Sequence, residues 1–296
     1  LKVFEIEKIC YSYPDGTKAL DELSFSVSEG DVLGIAGANG SGKSTLLMLM
    51  MGCLTPLKGR IAYLGKSFDR DTVRSMRKET GLLFQDPDDQ LFLPTVWEDV
   101  AFGPRNLGLS EKEVASRVEG ALHDTGIEEL SKKAPWKLSG GEKTLAALAG
   151  LFAMKPKTLL LDEPTSGLDP RSRCRLISII GKTEMTAVIA THDLDMVLDV
   201  CKRVIIMKNG KIESDGEVPG VLSDREYEIV RAGTAIKLCR AFKLGDKNVF
   251  IQITARNTVT RTVPAVASRS GLCPLWFFSI QKNKVLAQRC GFCLRY

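Results

Sequence analysis

Apolar and polar side chains alternate in Lys2–Ile9 and again in Leu23–Val27, the period of a half-buried strand. Pro14-Asp15-Gly16 offers a turn between the two, so an antiparallel pair is expected. Asp31–Ala36 is a short apolar run that enters a glycine-rich turn and then a Leu- and Met-rich stretch, which predicts strand, loop and helix in succession. From about Pro94 to Met154 the pattern turns helical. Ser110 with Glu113 three residues on reads as a capped helix start, and Val114, Val118, Ala121 and Leu122 follow at helical spacing. Apolar runs resume at Thr158–Leu161, Thr186–Ala190 and Arg203–Met207, the first two each followed by a helical stretch, as in parallel βαβ units. Asn209-Gly210 marks a hairpin. The pattern predicts an α/β core with an antiparallel β subdomain and a helical insert over roughly residues 86–155.

Composition changes this picture little. The 296 residues are 44% hydrophobic and 26% charged, the balance of an average globular chain. No stretch approaches the roughly 20 apolar residues that cross a bilayer; Gly271–Ile280 is half that length and holds a proline. The opening LKVFEIEKICYSYP lacks the charged-then-apolar pattern of a signal sequence. The eight cysteines are scattered, which reads as a reducing compartment, and the lone Cys290-x-x-Cys293 cannot complete a four-ligand zinc site. The net charge of +5 is uneven: from Ala241 onward nine Lys and Arg stand against one acid, Asp246, while the body is mildly acidic. A nucleic-acid role would rest on that tail alone, and no nucleic-acid partner is expected.

Chemistry enters at Gly37-Ala38-Asn39-Gly40-Ser41-Gly42-Lys43-Ser44, which fits G-x-x-x-x-G-K-[ST] in its strand–loop–helix setting. Such a loop points successive N–H groups at phosphate oxygens, its lysine adds a charge, and its serine hydroxyl is a Mg²⁺ ligand. Thr158–Leu161 then delivers two acids: Asp162 is expected beside the phosphate loop, holding Mg²⁺ through water, and Glu163 at the strand mouth, polarising an attacking water. His192 closes another apolar strand whose end faces the same crevice, where it is expected to bond the γ-phosphate; His123, in a polar helix, reads as surface. Leu138-Ser139-Gly140-Gly141-Glu142 opens an alanine-rich helix and offers a second anion-binding N-terminus. One nucleotide per chain against two anion sites points to two chains meeting head to tail.

These motifs, in this order, resemble the ATP-binding subunits of ABC transporters, over residues 1 to about 215. Gly37–Thr45 resembles their Walker A motif, Leu159–Glu163 their Walker B with its catalytic glutamate, and Leu138–Glu142 their signature. Gln85 falls at the Q-loop glutamine, Ser166-Gly167-Leu168-Asp169 at the D-loop, His192 at the switch histidine and Tyr13 at the aromatic that stacks on adenine. The resemblance implies a P-loop NTPase fold of the ABC nucleotide-binding type, ATP and Mg²⁺ as ligands, and catalysis by Lys43, Glu163 and His192. It implies nucleotide contacts from Tyr13, Gly37, Asn39, Gly40, Ser41, Gly42, Lys43, Ser44, Thr45, Gln85, Ser139, Gly140, Gly141 and Asp169, and metal contacts from Ser44, Gln85 and Asp162.

Tyr11–Thr17, Gln85–Phe92 and Asp99–Pro104 more closely resemble the ATPases of energy-coupling factor transporters, the importers of cobalt, nickel and vitamins. That implies a second ATPase subunit, identical or paralogous, and transmembrane subunits that hold the chain at the cytoplasmic face of the membrane. The acidic stretch after Gln85 lies where those subunits would dock. Two departures stand out. A basic residue usually follows the signature where this chain has Thr144-Leu145, which predicts looser packing of that helix. After about Gly233 the resemblance stops, and FIQITARNTVTRTVPAVASRSG shows neither helical period nor sustained alternation. The expected organisation is an ATP-binding domain over 1–235 and a divergent basic tail over 236–296, without a role or touching lipid headgroups. The rival reading is an ABC ATPase of DNA repair or translation, disfavoured by the short insert and the single cassette.

Overall fold

The computed structural model describes residues 1–183, 185–222, 236–244, 247–255, 276–281 and 284–289. Its chain divides into two compact units, Leu1–Thr234 and Ala235–Tyr296.

The first unit opens with β1 (Lys2–Ser12) and β2 (Lys18–Ser28), antiparallel to each other as the alternation predicts. They continue through β3 (Val32–Gly37) into α1 (Lys43–Met50). β4 (Lys58–Tyr63) and the short β5 (Lys66–Ser67) complete a four-stranded sheet in the order β2-β1-β4-β5. After α2 (Arg70–Glu79) and β6 (Thr80–Leu83) come α3 (Val96–Asn106), α4 (Glu111–Thr125) and α5 (Gly140–Ala153). Ser110 and Glu113 form the capping box expected at the start of α4, and the four apolar positions behind them are buried. The chain then alternates β7 (Thr158–Asp162), α6 (Pro170–Gly181), β8 (Thr186–Thr191), α7 (Leu194–Val200) and β9 (Arg203–Lys208), turning at Asn209-Gly210 into β10 (Lys211–Glu217) and a last turn, α8 (Val218–Val221).

The second sheet orders its strands β10-β9-β3-β8-β7-β6, parallel throughout except for β10. Both faces of its central strands are covered, so β3, β7, β8 and β9 read as near-unbroken apolar runs, whereas β10 at the edge is polar and alternates in exposure. Leu160, Val188 and Ile205 pack on one face with α1 and the first sheet; Leu159, Ile189 and Ile206 pack on the other with α3 to α7. The register pairs Ala36 with Thr191, Asp162 with Ala190, and Leu83 with Leu161. The carboxyl ends of β3, β6, β7 and β8 therefore lie side by side, the edge at which sheets of this type bind ligands.

In the second unit β11 (Ile236–Leu244) pairs with β12 (Lys247–Ala255), and β13 (Trp276–Gln281) with β14 (Lys284–Arg289). Phe250–Ala255, the start of the run that lacks sustained alternation, is the end of β12, where Ile251, Ile253 and Thr254 supply β-branched strand propensity. The rest of that run, and Cys290 and Cys293, lie outside the described residues.

Candidate functional site

The phosphate loop joins β3 to α1 as its spacing predicts, with Gly42 capping the helix at φ 102°. A side chain there would be strained by that backbone angle and would meet the Ala19 carbonyl oxygen at 2.6 Å. Lys43 is buried and folds back on its own loop, donating from Nζ to Gly37 O at 2.9 Å and Ala38 O at 3.2 Å. Its ammonium also stands 3.3 Å from Glu163 Oε1. Asn39 and Gly40 lie exposed on the loop, Ser41 and Thr45 are buried, and Ser44 is exposed at the first turn of α1. The Tyr13 hydroxyl lies 2.9 Å from Thr45 Oγ1, which ties the aromatic that follows β1 to the start of the helix.

Glu163 follows the last residue of β7 with φ 45°, a left-handed conformation that costs a non-glycine residue energy and is held here by its amide bond to Ala190 O at 2.8 Å. Its Oε2 accepts from Thr191 Oγ1 at 3.1 Å and from the His192 amide at 3.2 Å. His192 Nδ1 stands 2.8 Å from the same oxygen, at ion-pair distance. Burial alone would raise this carboxyl; the imidazole of His192, and after it the Lys43 charge, outweigh burial and hold Glu163 below its ordinary range. Glu163 in turn raises His192 against the opposing effect of burial.

Asp162 behaves differently although it is adjacent. Burial pushes its carboxyl up, the Ser44 hydroxyl pulls it down, and the Glu163 charge pushes it up again. Its Oδ1 is buried without a hydrogen-bond partner. A buried carboxylate oxygen with no donor, beside a serine hydroxyl, is the donor set a hard divalent cation takes. Gln85 is exposed, just past the end of β6 on the strand beside β7.

The signature is built as a capped helix start. Ser139 caps α5, its amide and hydroxyl donating to Glu142 Oε2 at 2.7 and 2.8 Å. Gly140 is exposed and Gly141 buried against Ser172 of α6. Asp169 caps α6 through the amides of Arg171 and Ser172. Thr144 and Leu145 stand where the basic residue is expected to support packing of the signature helix. Both are buried, and the Thr144 hydroxyl donates to Gly140 O at 3.0 Å. The cation is supplied one residue earlier: Lys143 Nζ contacts Asp88 at 2.6 Å, in the turn that follows Gln85. His123 is exposed, as expected.

Of the expected site residues, Lys43, Asp162, Glu163 and His192 meet at one edge, with Tyr13, Ser44 and Thr45 beside them. Ser139 and Gly140 belong to the separate start of α5. Sequence reading missed Thr191, Asp193 and Arg173. Asp193 caps α7 and grips Arg173; its signal was an acid opening a helix straight after the histidine.

A family model for the ABC transporter matches residues 20–166. The chain is 44% identical over 229 residues to the energy-coupling factor transporter ATP-binding protein EcfA of Methanocaldococcus jannaschii, covering 76% of this chain and 82% of that protein. Its structure is similar to that of cbiO1 from Clostridium perfringens, part of the ABC transporter complex cbiONQ, with TM-score 0.69 and 40% identity over 76% of this chain and 92% of the other. It is also similar, with TM-score 0.68 and 25% identity over 73% of this chain and 98% of the other, to an ATP-binding cassette solved as a dimer in a post-hydrolysis state with ADP and Pi. Among the described residues no helix is long and apolar enough to cross a membrane.

Proposed function

The chain belongs to the ABC transporter family of ATP-binding proteins, and from that premise we propose that it powers an energy-coupling factor importer of metal ions (cobalt or nickel) or vitamins. It is an ATPase, and cassettes of its kind dimerise. The observation that carries the catalytic reading is that Lys43, at 3.3 Å, and His192, at 2.8 Å, both reach the Glu163 carboxylate at the sheet edge.

When ATP enters, Lys43 exchanges the Gly37 and Ala38 carbonyls for phosphate oxygens, and the amides of the loop from Gly37 to Thr45, Asn39, Gly40, Ser41, Gly42 and Ser44 among them, surround the anion. Tyr13 stacks on the base. Mg²⁺, when bound, supplies positive charge beside the phosphates, with Ser44, Asp162 and Gln85 as its holders. Glu163, kept ionised by its neighbours, takes the proton of the attacking water, and His192 turns from Glu163 to the γ-phosphate. A second ATPase subunit, identical or paralogous, closes the site with its Ser139, Gly140 and Gly141, and Asp169 braces the contact. Closure excludes water and strengthens every charge interaction inside.

Transmembrane subunits dock on the acidic turn after Gln85, where the exposed rings of Phe92 and Phe102 meet edge to face at 5.1 Å. Through them the chain sits peripherally at the cytoplasmic face of the membrane. The tail over 236–296 takes no part in this scheme. The test is purification from detergent-solubilised membranes. Small, strongly hydrophobic subunits should come with the chain, whereas ribosomal or DNA-bound partners alone would leave the motor and remove the transport.

A further inference from the structure

The two hairpins of the unit Ala235–Tyr296 each carry one apolar face. In β11–β12 the register sets Leu238 opposite Ile253, Arg240 opposite Ile251 and Phe242 opposite Val249. Residues paired across two strands share a face, and successive residues of one strand change face. Apart from Arg240 and Lys247, every residue on the face that holds these pairs is apolar. The other face carries Lys237, Lys243, Asn248, Gln252 and Thr254. In β13–β14 Trp276, Phe278 and Ile280 share a face with Arg289, Ala287 and Val285. Among the described residues neither hairpin extends beyond two strands. A lone two-stranded sheet is at best marginally stable in water, so apolar faces of this kind need a cover.

Charge decides what that cover is. Ala235–Tyr296 holds eleven Lys and Arg against one acid, Asp246. A nucleic acid would reward the cations, but its phosphates gain nothing from a face of Leu, Ile and Val, which cannot stack on bases as rings do. An anionic bilayer meets both features at once: its headgroups attract lysine and arginine, and its acyl boundary takes apolar side chains. Arg240 and Lys247 are compatible with it, because long cationic side chains reach from an apolar surface to the headgroups. Each strand of a two-stranded sheet leaves one edge of amides and carbonyls unpaired, and open edges do not enter hydrocarbon. Such hairpins therefore suit the headgroup level and cannot span the bilayer.

We propose that the unit Ala235–Tyr296 binds the surface of an anionic bilayer, the apolar faces of β11–β12 and β13–β14 lying in the headgroup boundary and its lysines and arginines on the lipid phosphates. This goes beyond the transporter reading and does not depend on it. A chain that ignored lipid could still be recovered with hydrophobic subunits, and a chain that bound lipid could still be recovered without them.

The test is sedimentation of the full chain with vesicles of phosphatidylcholine, either pure or with about 30% phosphatidylserine. Binding to the anionic vesicles should be tighter by about tenfold or more, and should weaken several-fold between about 0.1 and 0.5 M salt. Lys237→Gln with Lys243→Gln, which leaves the apolar face untouched, should weaken it by about tenfold while ATP turnover of the chain is unchanged. Trp276 reports the contact itself: in a chain with Trp97→Phe and Trp136→Phe, its emission should be quenched by brominated acyl chains. Equal binding to neutral and anionic vesicles would remove the part played by charge. Binding to neither would mean that protein, of this chain or of a second copy, covers the apolar faces. Binding that left Trp276 unquenched would put the contact elsewhere in the chain. Each of these three results overturns the proposal.

Discussion

The guanidinium of Arg173 grips the carboxylate of Asp193 in a fork, Nε to Oδ2 at 2.7 Å and Nη2 to Oδ1 at 2.8 Å. Arg173 lies in α6, whose cap is Asp169; Asp193 follows His192 and caps α7. The Thr165 hydroxyl, just beyond Glu163, donates to the same carboxylate at 3.1 Å. One nearly buried ion pair thus holds together the three segments that carry Glu163, Asp169 and His192. A fork of two bonds fixes orientation as well as distance, which a single charge contact does not.

Arg173→Ala would leave Asp193 largely buried without its counter-charge. Removing one partner of such a pair costs about 3 kcal/mol, and thermal unfolding of this unit should drop by roughly 10 °C. Because His192 loses its brace, kcat for ATP should fall more than KM changes. Arg173→Lys keeps the charge but not the fork and should recover only part of the loss. Differential scanning fluorimetry and steady-state kinetics read both effects; a variant with unchanged melting and unchanged kcat would remove the brace from the mechanism.

The same pair sets an acid limit on stability. Burial would raise the Asp193 carboxyl, but the Arg173 hydrogen bond and charge outweigh it, and the group sits below its ordinary 3.8. A carboxyl lowered by folding contributes stability that is present above its unfolded value and lost as pH falls through the folded value. Asp193→Asn should therefore be less stable than the parent at pH 7, with the gap narrowing as pH drops below 3.8. Urea midpoints at several pH values would show it, and a gap that stayed constant would contradict the assignment.

Glu163→Gln keeps the shape of the side chain and removes its basicity. ATP affinity should stay within a few-fold while turnover falls by about 10² to 10⁴. Lys43→Ala should instead lose nucleotide binding, since the loop then has no charge to offer the phosphates. Fluorescent-nucleotide titration alongside phosphate release separates the two, and turnover that survives Glu163→Gln would mean another group is the base.

Close packing at the start of α5 gives a test of the signature that does not touch its serine. A Cβ at Gly141 would meet Ser172 Oγ at 2.5 Å and its Cβ at 2.8 Å. Gly141→Ala should push α5 off α6 and lower turnover, with ATP binding to the single chain intact. Ser172→Gly in the same molecule makes room and should restore most of it. A double variant as poor as the single one would mean that the glycine matters for something other than that contact.

Much of this site could be read from residue order alone, and the reason is local. The phosphate loop, the acids after β7 and the histidine after β8 each sit at the end of an apolar strand, so one rule places them together at the carboxyl edge of a parallel sheet. The Arg173–Asp193 fork and the Lys143–Asp88 contact join residues 20 and 55 positions apart, and neither has a spacing signature. Their pairing follows from how α5, α6 and α7 pack, which depends on the whole core. β12 escaped for a different reason: the alternation in Ile251-Gln252-Ile253-Thr254 spans only four residues and is not sustained in the run that follows.

The contact between Lys143 and Asp88 suggests how the acidic turn could drive the signature. Lys143 lies one turn inside α5 from Ser139, and Asp88 lies three residues past Gln85 in a turn closed by Asp86, whose carboxylate accepts from the Asp88 amide at 2.9 Å. A displacement of the turn therefore reaches α5 through the lysine. Asp88 is 59% exposed, so the pair adds little stability, at most about 1 kcal/mol. Asp88→Lys and Lys143→Asp should accordingly melt close to the parent, yet each should lower turnover of the assembled transporter by about two- to fivefold, the rate equivalent of losing that contact. The double swap restores opposite charges and should recover turnover, and molar salt should erase the differences by screening the pair. If the double swap is no better than either single change, the turn and the signature move independently and Lys143 serves α5 alone.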